Sequence, residues 1–176
     1  MVRISEAIKD DHRRLESYYN IIMNSEDEDE QTRFQNQFTW ELARHAVAEE
    51  LVVFPALEKA RSDGKEKIDD DRREHSALKE MLYVFQDLNC LAKHMRDEES
   101  NDLVILEETL TSDESEKLGQ SLSRTKMFLP SRSHPYDLEN PRFETVADLL
   151  MAPLDYLQDL FRKWPEEESM LTSPME

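Results

Sequence analysis

The sequence predicts an all-α protein, a four-helix bundle followed by a C-terminal helical extension. Three observations support this fold class. The 176-residue chain contains only two glycines, fewer than an all-β fold with many tight turns would need. Its seven prolines lie at Pro55 and from Pro130 onward, so the predicted helices of the first half meet almost no helix breaker. Apolar residues recur at the spacing of amphipathic helices.

Helical periodicity predicts four helices within residues 1–110, the expected bundle. A first helix at about 5–23 is followed by a charged loop at 24–30. A second helix passes through 34–57, where Pro55 is expected to kink it or to remove a hydrogen bond near its end. The second helix is predicted to end at a stop signal at 62–64. A third helix follows from about 68 to 85 and a fourth from about 91 to 110.

Residues 111–165 are predicted to form a helical extension packed on or beside the bundle. The extension divides into a helix from Thr111 to Phe128, an extended connection at 129–142 with three prolines, and two helices at 143–164 hinged at Pro153. Thr111 and Glu114 form a capping-box pattern, which is typical of a helix start. The tail at 166–176 is expected to be disordered.

Charge and cysteine content exclude several classes of function. The formal net charge of −18 at pH 7 argues against binding nucleic acid or an anionic membrane, because phosphates would be repelled. The single cysteine excludes an internal disulfide and a cysteine-based zinc or iron–sulfur site. The charged N-terminus does not resemble a signal peptide, and no stretch reaches membrane-spanning length. We therefore expect a reducing, cytoplasmic location.

A histidine followed four residues later by a glutamate occurs twice, at His45–Glu49 and at His94–Glu98. Residues four apart lie on the same face of a helix, so each pair can point at one metal ion or at adjacent ions. Glu50, by contrast, is expected to be turned well away. The pattern alone is weak, because an acidic chain produces such pairs by chance.

An internal repeat strengthens the metal-binding interpretation. The segments that begin at His45 and His94 align at a constant offset of 49 residues, including the second glutamate of each. An acidic residue and a histidine precede each segment. These dipeptides are Asp11-His12 and Glu74-His75. The chain is therefore predicted to form two helical hairpins, each with one histidine on its first helix and a His–Glu pair on its second.

Packed together, the hairpins would bring six candidate ligands into the interior of the bundle. These are His12, His45, Glu49, His75, His94 and Glu98. If both carboxylates bridge, the six side chains fill about eight coordination positions, whereas two octahedral ions need about twelve. Positions then remain for solvent, a bridging oxygen or dioxygen. Nitrogen and oxygen donors without thiolate suit two iron ions, with manganese or zinc as alternatives.

These motifs resemble those of hemerythrin-like (HHE cation-binding) domain proteins of the fungal type. The resemblance covers residues 4–110 through the ligand motifs, and it extends through 124–135 and 143–146 into the C-terminal helix. It implies an up-and-down four-helix bundle with a carboxylate-bridged di-iron centre. Family members carry or sense oxygen, or sense or hold iron, and a few related proteins carry out oxidative chemistry.

One departure from the oxygen-carrying members concerns the third helix. Those proteins have a second histidine four residues before the third-helix histidine, at the position of Asp71 here. Three interpretations of Asp71 are open: a metal ligand, a solvated carboxylate near the helix start, or a substitution that leaves one metal under-coordinated. The solvated carboxylate is the favoured one. The chain therefore resembles iron-sensing variants more than reversible oxygen carriers.

The second departure is the short second hairpin. His12 and His45 are 33 residues apart, but His75 and His94 only 19, where family members usually have a longer connection. Either this hairpin has short arms around a tight turn, or a segment is missing and His94 is out of register. In the extreme case the third and fourth helices fuse and His94 lies about 30 Å from His75, so that no complete site forms.

Three functions are compatible with these patterns. The first is a non-enzymatic di-iron protein that binds dioxygen or another small oxidant, or that senses or holds iron. The second is an oxidase or monooxygenase in which the same centre activates oxygen or peroxide. The third is a degenerate, metal-free helical protein used for interactions. His134 is expected to anchor a loop, and the sequence does not indicate an oligomeric state.

Overall fold

The computed structural model describes residues 2–61, 63–84, 89–129 and 159–166. Within these ranges the regular structure is entirely helical, and the predicted all-α class is confirmed. The helices are α1 (Ile4–Asn24), α2 (Glu28–Ala48), α3 (Phe54–Ala60), α4 (Gly64–Val84), α5 (Asn89–Asp97), α6 (Leu103–Thr109) and α7 (Ser112–Lys126). None of the described helices has the length and apolarity needed to cross a membrane.

Two π-helical segments join these helices into longer rods. One spans Glu49–Val53 between α2 and α3, and the other spans Glu98–Asp102 between α5 and α6. The bundle is thus built from α1, the α2–α3 rod, α4 and the α5–α6 rod. Both π segments begin at the glutamate of a His–Glu pair, so the predicted repeat of 49 residues is also a repeat of backbone geometry.

Pro55 lies directly after the first π segment, in the first turn of α3. The amide of Phe54 donates to the carbonyl of Glu49, five residues back, as the wider π turn requires. The second rod contains the same segment, with Val104 at the position that corresponds to Pro55. The proline therefore fits the π turn, but it is not what produces it.

The bundle core consists of two apolar clusters. On α1 and α2, Leu15 and Tyr18 pack near Phe38 and Leu42, so residues after His12 meet residues before His45 and the two helices are antiparallel. At the other end, the buried side chains include Ile4, Ile8, Val47, Phe54, Leu57, Leu103 and Leu106. On α1 and α2 the histidine lies between the two clusters in sequence. A polar layer is therefore enclosed by apolar packing on both sides.

Helix α7 packs on the bundle and contributes Leu122 to the apolar cluster around Ile4. The predicted capping box is present, with the Thr111 hydroxyl accepting from the Glu114 amide and the Glu114 carboxylate accepting from Thr111. Gly119 crosses the start of α1 so closely that an added Cβ would lie 2.7 Å from the carbonyl oxygen of Val2. The first helix of the extension is therefore fitted against the N-terminus of the bundle.

Residues 159–166 lie against α2. Arg33 donates to the carbonyl of Trp164 at 2.8 Å, and Asn36 donates to the carbonyl of Lys163 at 2.8 Å. The indole of Trp164 meets that of Trp40 edge-on, with ring centroids 6.3 Å apart. The intervening extension at 130–158, which includes His134 and Pro153, and the tail from 167 onward lie outside the described residues.

Candidate metal centre

The structure brings all six sequence-predicted ligands together in two overlapping groups. In the first group, potential ligand atoms of His12, His45, Glu49 and Glu98 lie within 4.8 Å of one another. In the second, Glu49 meets His75 and His94 within the same limit. Every member of both groups is buried, and Glu49 is common to both.

The short second hairpin does not prevent this convergence. The Nε2 atoms of His75 and His94 are 3.1 Å apart. Helix α4 ends at Val84 and α5 begins at Asn89, so the third and fourth helices are separate. The expectation of a fused helix with distant histidines is wrong, because the two histidines lie side by side on separate helices. The connection itself, 85–88, lies outside the described residues.

Glu49 has the geometry of a bridging carboxylate. Its Oε1 lies 3.1 Å from His45 Nε2, and its Oε2 lies 3.5 Å from His75 Nε2. Each oxygen therefore faces a histidine from a different hairpin. Glu98 approaches the first hairpin from the opposite side, with Oε2 3.3 Å from His12 Nε2. Glu49 is fully buried, so its charge would have no compensation from water.

Each of the four histidines has a carboxylate behind it, at Nδ1. The contacts are His12 to Glu99 at 2.8 Å, His45 to Asp11 at 3.3 Å, His75 to Glu50 at 3.3 Å and His94 to Glu74 at 2.9 Å. An ionised carboxylate only accepts hydrogen bonds, so Nδ1 carries the ring proton in each case. The Nε2 lone pairs are thereby directed into the centre, as is usual for metal-binding histidines.

These four supporting carboxylates are functional residues that the ligand pattern missed. Glu50, expected to be turned away, is 5 % exposed and holds His75 of the other hairpin, and Glu99 does the same for His12. In a regular α-helix two successive residues point about 100° apart. The π segments that begin at Glu49 and Glu98 widen the helix there. Glu49, Glu50 and Glu98 are buried, and the partly buried Glu99 still reaches His12.

A signal for the supporting residues was nevertheless present in the sequence. The acidic residue before each upstream histidine supports the downstream histidine of the same hairpin. The acidic residue after each ligand-position glutamate supports the upstream histidine of the opposite hairpin. The doubled Asp/Glu-His and Glu-Glu dipeptides are thus parts of one arrangement that repeats along with the backbone.

Whether a metal ion fits this centre can be judged from the buried polar atoms that lack a hydrogen-bond partner. Among the described residues, the atoms that lie close to one another without a hydrogen bond of normal geometry include His12 Nε2, His45 Nε2 and both carboxylate oxygens of Glu49 and of Glu98. Burying such atoms without a hydrogen bond costs free energy, so their concentration at one point is what a cation-binding site requires. The donor set of imidazole nitrogen and carboxylate oxygen fits a divalent transition metal.

Burial shifts the ionisation of the centre, and at Glu49 a bound cation would reverse the shift. It lowers the pKa of His45 to about 4, outweighing the opposing hydrogen bond with Asp11. Burial and the neighbouring Glu98 raise the pKa of the Glu49 carboxyl well above its usual range. Burial also acts to raise the pKa of Glu98, but hydrogen bonding and charge from His12 outweigh it and hold that pKa low. A bound cation would displace the proton that Glu49 favours.

Asp71 does not behave as the favoured interpretation expected. It is 3 % exposed, so it is not a solvated carboxylate. One of its oxygens pairs with Lys67, which also contacts Asp102 at 3.3 Å, and the other oxygen has no hydrogen-bond partner. It belongs to neither of the two ligand groups found among the described residues. Its position four residues before His75 turns it into the bundle, where Lys67 compensates its charge.

Comparison with known proteins gives the same assignment. Residues 3–112 match the hemerythrin HHE cation-binding domain. The chain is also 46 % identical over 181 residues to an uncharacterized hemerythrin-like protein of the fission yeast Schizosaccharomyces pombe, covering 94 % of this chain and 89 % of that protein. No solved structure matches the chain. The fold, the buried histidine–glutamate cluster and the sequence agree, and the chain belongs to the hemerythrin HHE cation-binding family.

Proposed function

We propose that this protein holds two iron ions in the bundle and uses them to bind dioxygen or to hold and sense iron, without catalysing a reaction. The observation that carries the proposal is the convergence of buried, unpartnered imidazole and carboxylate atoms at one point. Nitrogen and oxygen donors without thiolate are the set that non-haem iron uses, and manganese or zinc would fit the same donors.

The two ligand groups suggest how the ions would be shared. His12, His45, Glu49 and Glu98 would hold one ion, and His75, His94 and Glu49 the other. Glu49 would bridge, since its two oxygens face histidines from different hairpins. Two iron ions bound there would supply redox chemistry and affinity for a small oxidant.

The protein's own residues restrict what can reach the centre. His94, the most exposed of the six predicted ligands, is only 9 % exposed, so the interior favours a diatomic ligand over a bulky substrate. The ring of Phe54 lies 5.1 Å from that of His75 and forms an apolar wall beside it. The Nδ1 carboxylates hold the four imidazoles in fixed orientations, which lowers the cost of ordering them when metal binds.

Metal analysis of protein from iron-supplemented cells tests this proposal directly. We expect about two iron ions per chain, as the two ligand groups require. Glu49→Gln should lose most of the iron, and Glu58→Gln, a change at an exposed position of α3, should keep it. Metal-free protein from such cells would overturn the proposal and favour an interaction role.

A second measurement separates binding from catalysis. Iron-loaded protein should change its visible spectrum when dioxygen is removed or iron is reduced, and it should not consume peroxide or oxygen continuously. Sustained consumption that requires Glu49 would contradict the non-enzymatic proposal and indicate an oxidase.

A further inference from the structure

Lys126, at the end of α7, lies outside the segment that matches the family, residues 3–112, yet it reaches the metal centre. We propose that Lys126 is a positioning residue which holds Asp11 against His45 and weakens the negative charge that Asp11 presents to that imidazole. It thereby sets the redox properties of the ion held by the His12 and His45 group. This inference rests on the proposed binding of metal.

The contacts form a short chain from α7 to a candidate ligand. Lys126 Nζ lies 2.7 Å from Asp11 Oδ2, and the same oxygen lies 3.3 Å from His45 Nδ1. The ammonium and the imidazole thus share one carboxylate oxygen. Asp11 is 4 % exposed, so water cannot screen this arrangement effectively. The other oxygen pairs with Arg14, whose side chain is about half exposed to solvent.

Lys126 is held in place by its backbone as well as by its charge. The carbonyl of Lys126 accepts a hydrogen bond from Arg44 Nε at 2.7 Å, a contact that caps the C-terminus of α7. Arg44 in turn lies over the ring of Trp40, 3.9 Å from its centroid. Since Arg44 immediately precedes His45, the helix that carries the candidate ligand also fixes the lysine that modulates it.

The electrostatic effect follows from how such carboxylates act. A carboxylate at Nδ1 makes a histidine a stronger donor to metal, and a cation on the same oxygen reduces that effect. The pair behind His94 differs, because Glu74 is 52 % exposed and meets no cation among the side chains that the structure describes. Lys126 therefore adds an electronic difference between the two halves of the centre.

Substitution of Lys126 tests this role in the full-length, iron-loaded chain. Lys126→Gln keeps a hydrogen-bond donor for Asp11 but removes the charge, and Lys126→Arg keeps the charge. We expect Lys126→Gln to retain its iron. Without the positive charge, the variant should favour ferric over ferrous iron about tenfold more than the wild type does. This corresponds to a fall of about 59 mV in the one-electron midpoint potential. Lys126→Arg should restore the wild-type potential.

A lysine on the same helix supplies the matched control. Lys117 is exposed and pairs only with exposed Asp113 in the described structure, so Lys117→Gln removes the same charge at a distance from the centre. Its potential should equal that of the wild type. The visible spectrum of cobalt-loaded protein provides a second readout, because it reports on the ligands and should shift in Lys126→Gln alone.

The outcomes distinguish this inference from the proposed function. Full iron content with an unchanged potential and cobalt spectrum in Lys126→Gln would overturn the role of Lys126 and leave the metal proposal intact. Failure of the wild type to bind iron or cobalt would overturn both. If Lys126→Gln does not fold, the midpoint potential is measured in Lys126→Met or Asp11→Asn instead. A potential equal to that of the wild type would also overturn the role of Lys126.

Discussion

His75 Nε2 lies 3.1 Å from His94 Nε2, and the Nδ1 atom of each ring faces a carboxylate. Both ring protons are engaged at Nδ1, by Glu50 and Glu74, so the two Nε2 atoms direct lone pairs at each other. Such an arrangement is repulsive unless a cation or a proton lies between them. A metal ion bound by both Nε2 atoms would replace this contact with two favourable ones.

Metal should therefore stabilise the fold substantially. A ligand that binds only the folded state at about 1,000 times its dissociation constant adds about 4 kcal/mol to the free energy of unfolding. For a chain of this size, that corresponds to an increase of about 10 °C in melting temperature. Calorimetry of metal-free and iron-loaded protein measures the difference. Equal melting temperatures at saturating metal would contradict the prediction.

Loss of metal should depend on which ligand group is damaged. His94→Ala removes one member of the three-residue group and leaves the four-residue group complete, so we expect about one ion per chain to remain. Glu49→Ala removes a member of both groups and should lose both ions. Metal analysis after dialysis measures the stoichiometry, with Glu58→Ala as the control. Equal losses in both ligand variants would indicate a single cooperative site.

Much of this centre could be predicted from sequence, because helical spacing determines which residues share a face. His45 and Glu49 are four apart, and the repeat places His94 and Glu98 in the same relation, so the six-residue cluster follows from periodicity and duplication. The all-α fold follows from the same periodicity. Neither inference needs the details of tertiary packing.

The parts that could not be predicted depend on tertiary geometry. Glu50 was expected to point away because regular α-helical geometry was assumed, and the π segment at Glu49–Val53 changes that geometry. Asp71 was expected to be a solvated carboxylate near the helix start, but packing and Lys67 allow it to be buried. The separation of α4 from α5 was not expected, because no glycine or proline lies between His75 and His94.

The supporting role of Glu50 makes a separate prediction. Glu50→Gln preserves shape but removes the charge behind His75, and outer carboxylates of this kind contribute about 10- to 100-fold to metal affinity. We expect a loss of that size, with full stoichiometry regained at high metal concentration. Competition with a chelator of known affinity measures it. Loss of stoichiometry at every concentration would instead make Glu50 a direct ligand.

The close approach of α7 to α1 predicts a sensitive position at Gly119. An alanine Cβ there would lie 2.7 Å from the Val2 carbonyl, and backbone on both sides leaves little room to relax. Gly119→Ala should therefore destabilise the protein by about 1–3 kcal/mol, although alanine is the better helix former. Urea denaturation measures the change. Ser121→Ala, at an exposed position of the same helix, should be neutral or slightly stabilising.

Burial of His45 should lower the stability of the metal-free protein as the pH falls from about 6.5 to 4. Burial lowers the pKa of folded His45 to about 4, whereas an unfolded histidine titrates near 6.5. Between these values the unfolded chain binds the proton more strongly, so acidification favours unfolding by up to about 3 kcal/mol. His12 and Glu49 act in the opposite direction. Contacts with Glu98 and Glu99 raise the pKa of His12 against the effect of burial, and burial raises the pKa of Glu49.

The two histidines can be separated by substitution. His45→Gln removes the group whose pKa is lowered, so its free energy of unfolding should fall less than that of the wild type over the same pH range. His12→Gln removes the opposing contribution, so its stability should fall more steeply with acid. Urea denaturation of metal-free protein at a series of pH values gives both slopes. Parallel pH profiles for the wild type and His45→Gln would mean that His45 already accepts a proton in the folded state, and that the carboxylates around it outweigh its burial.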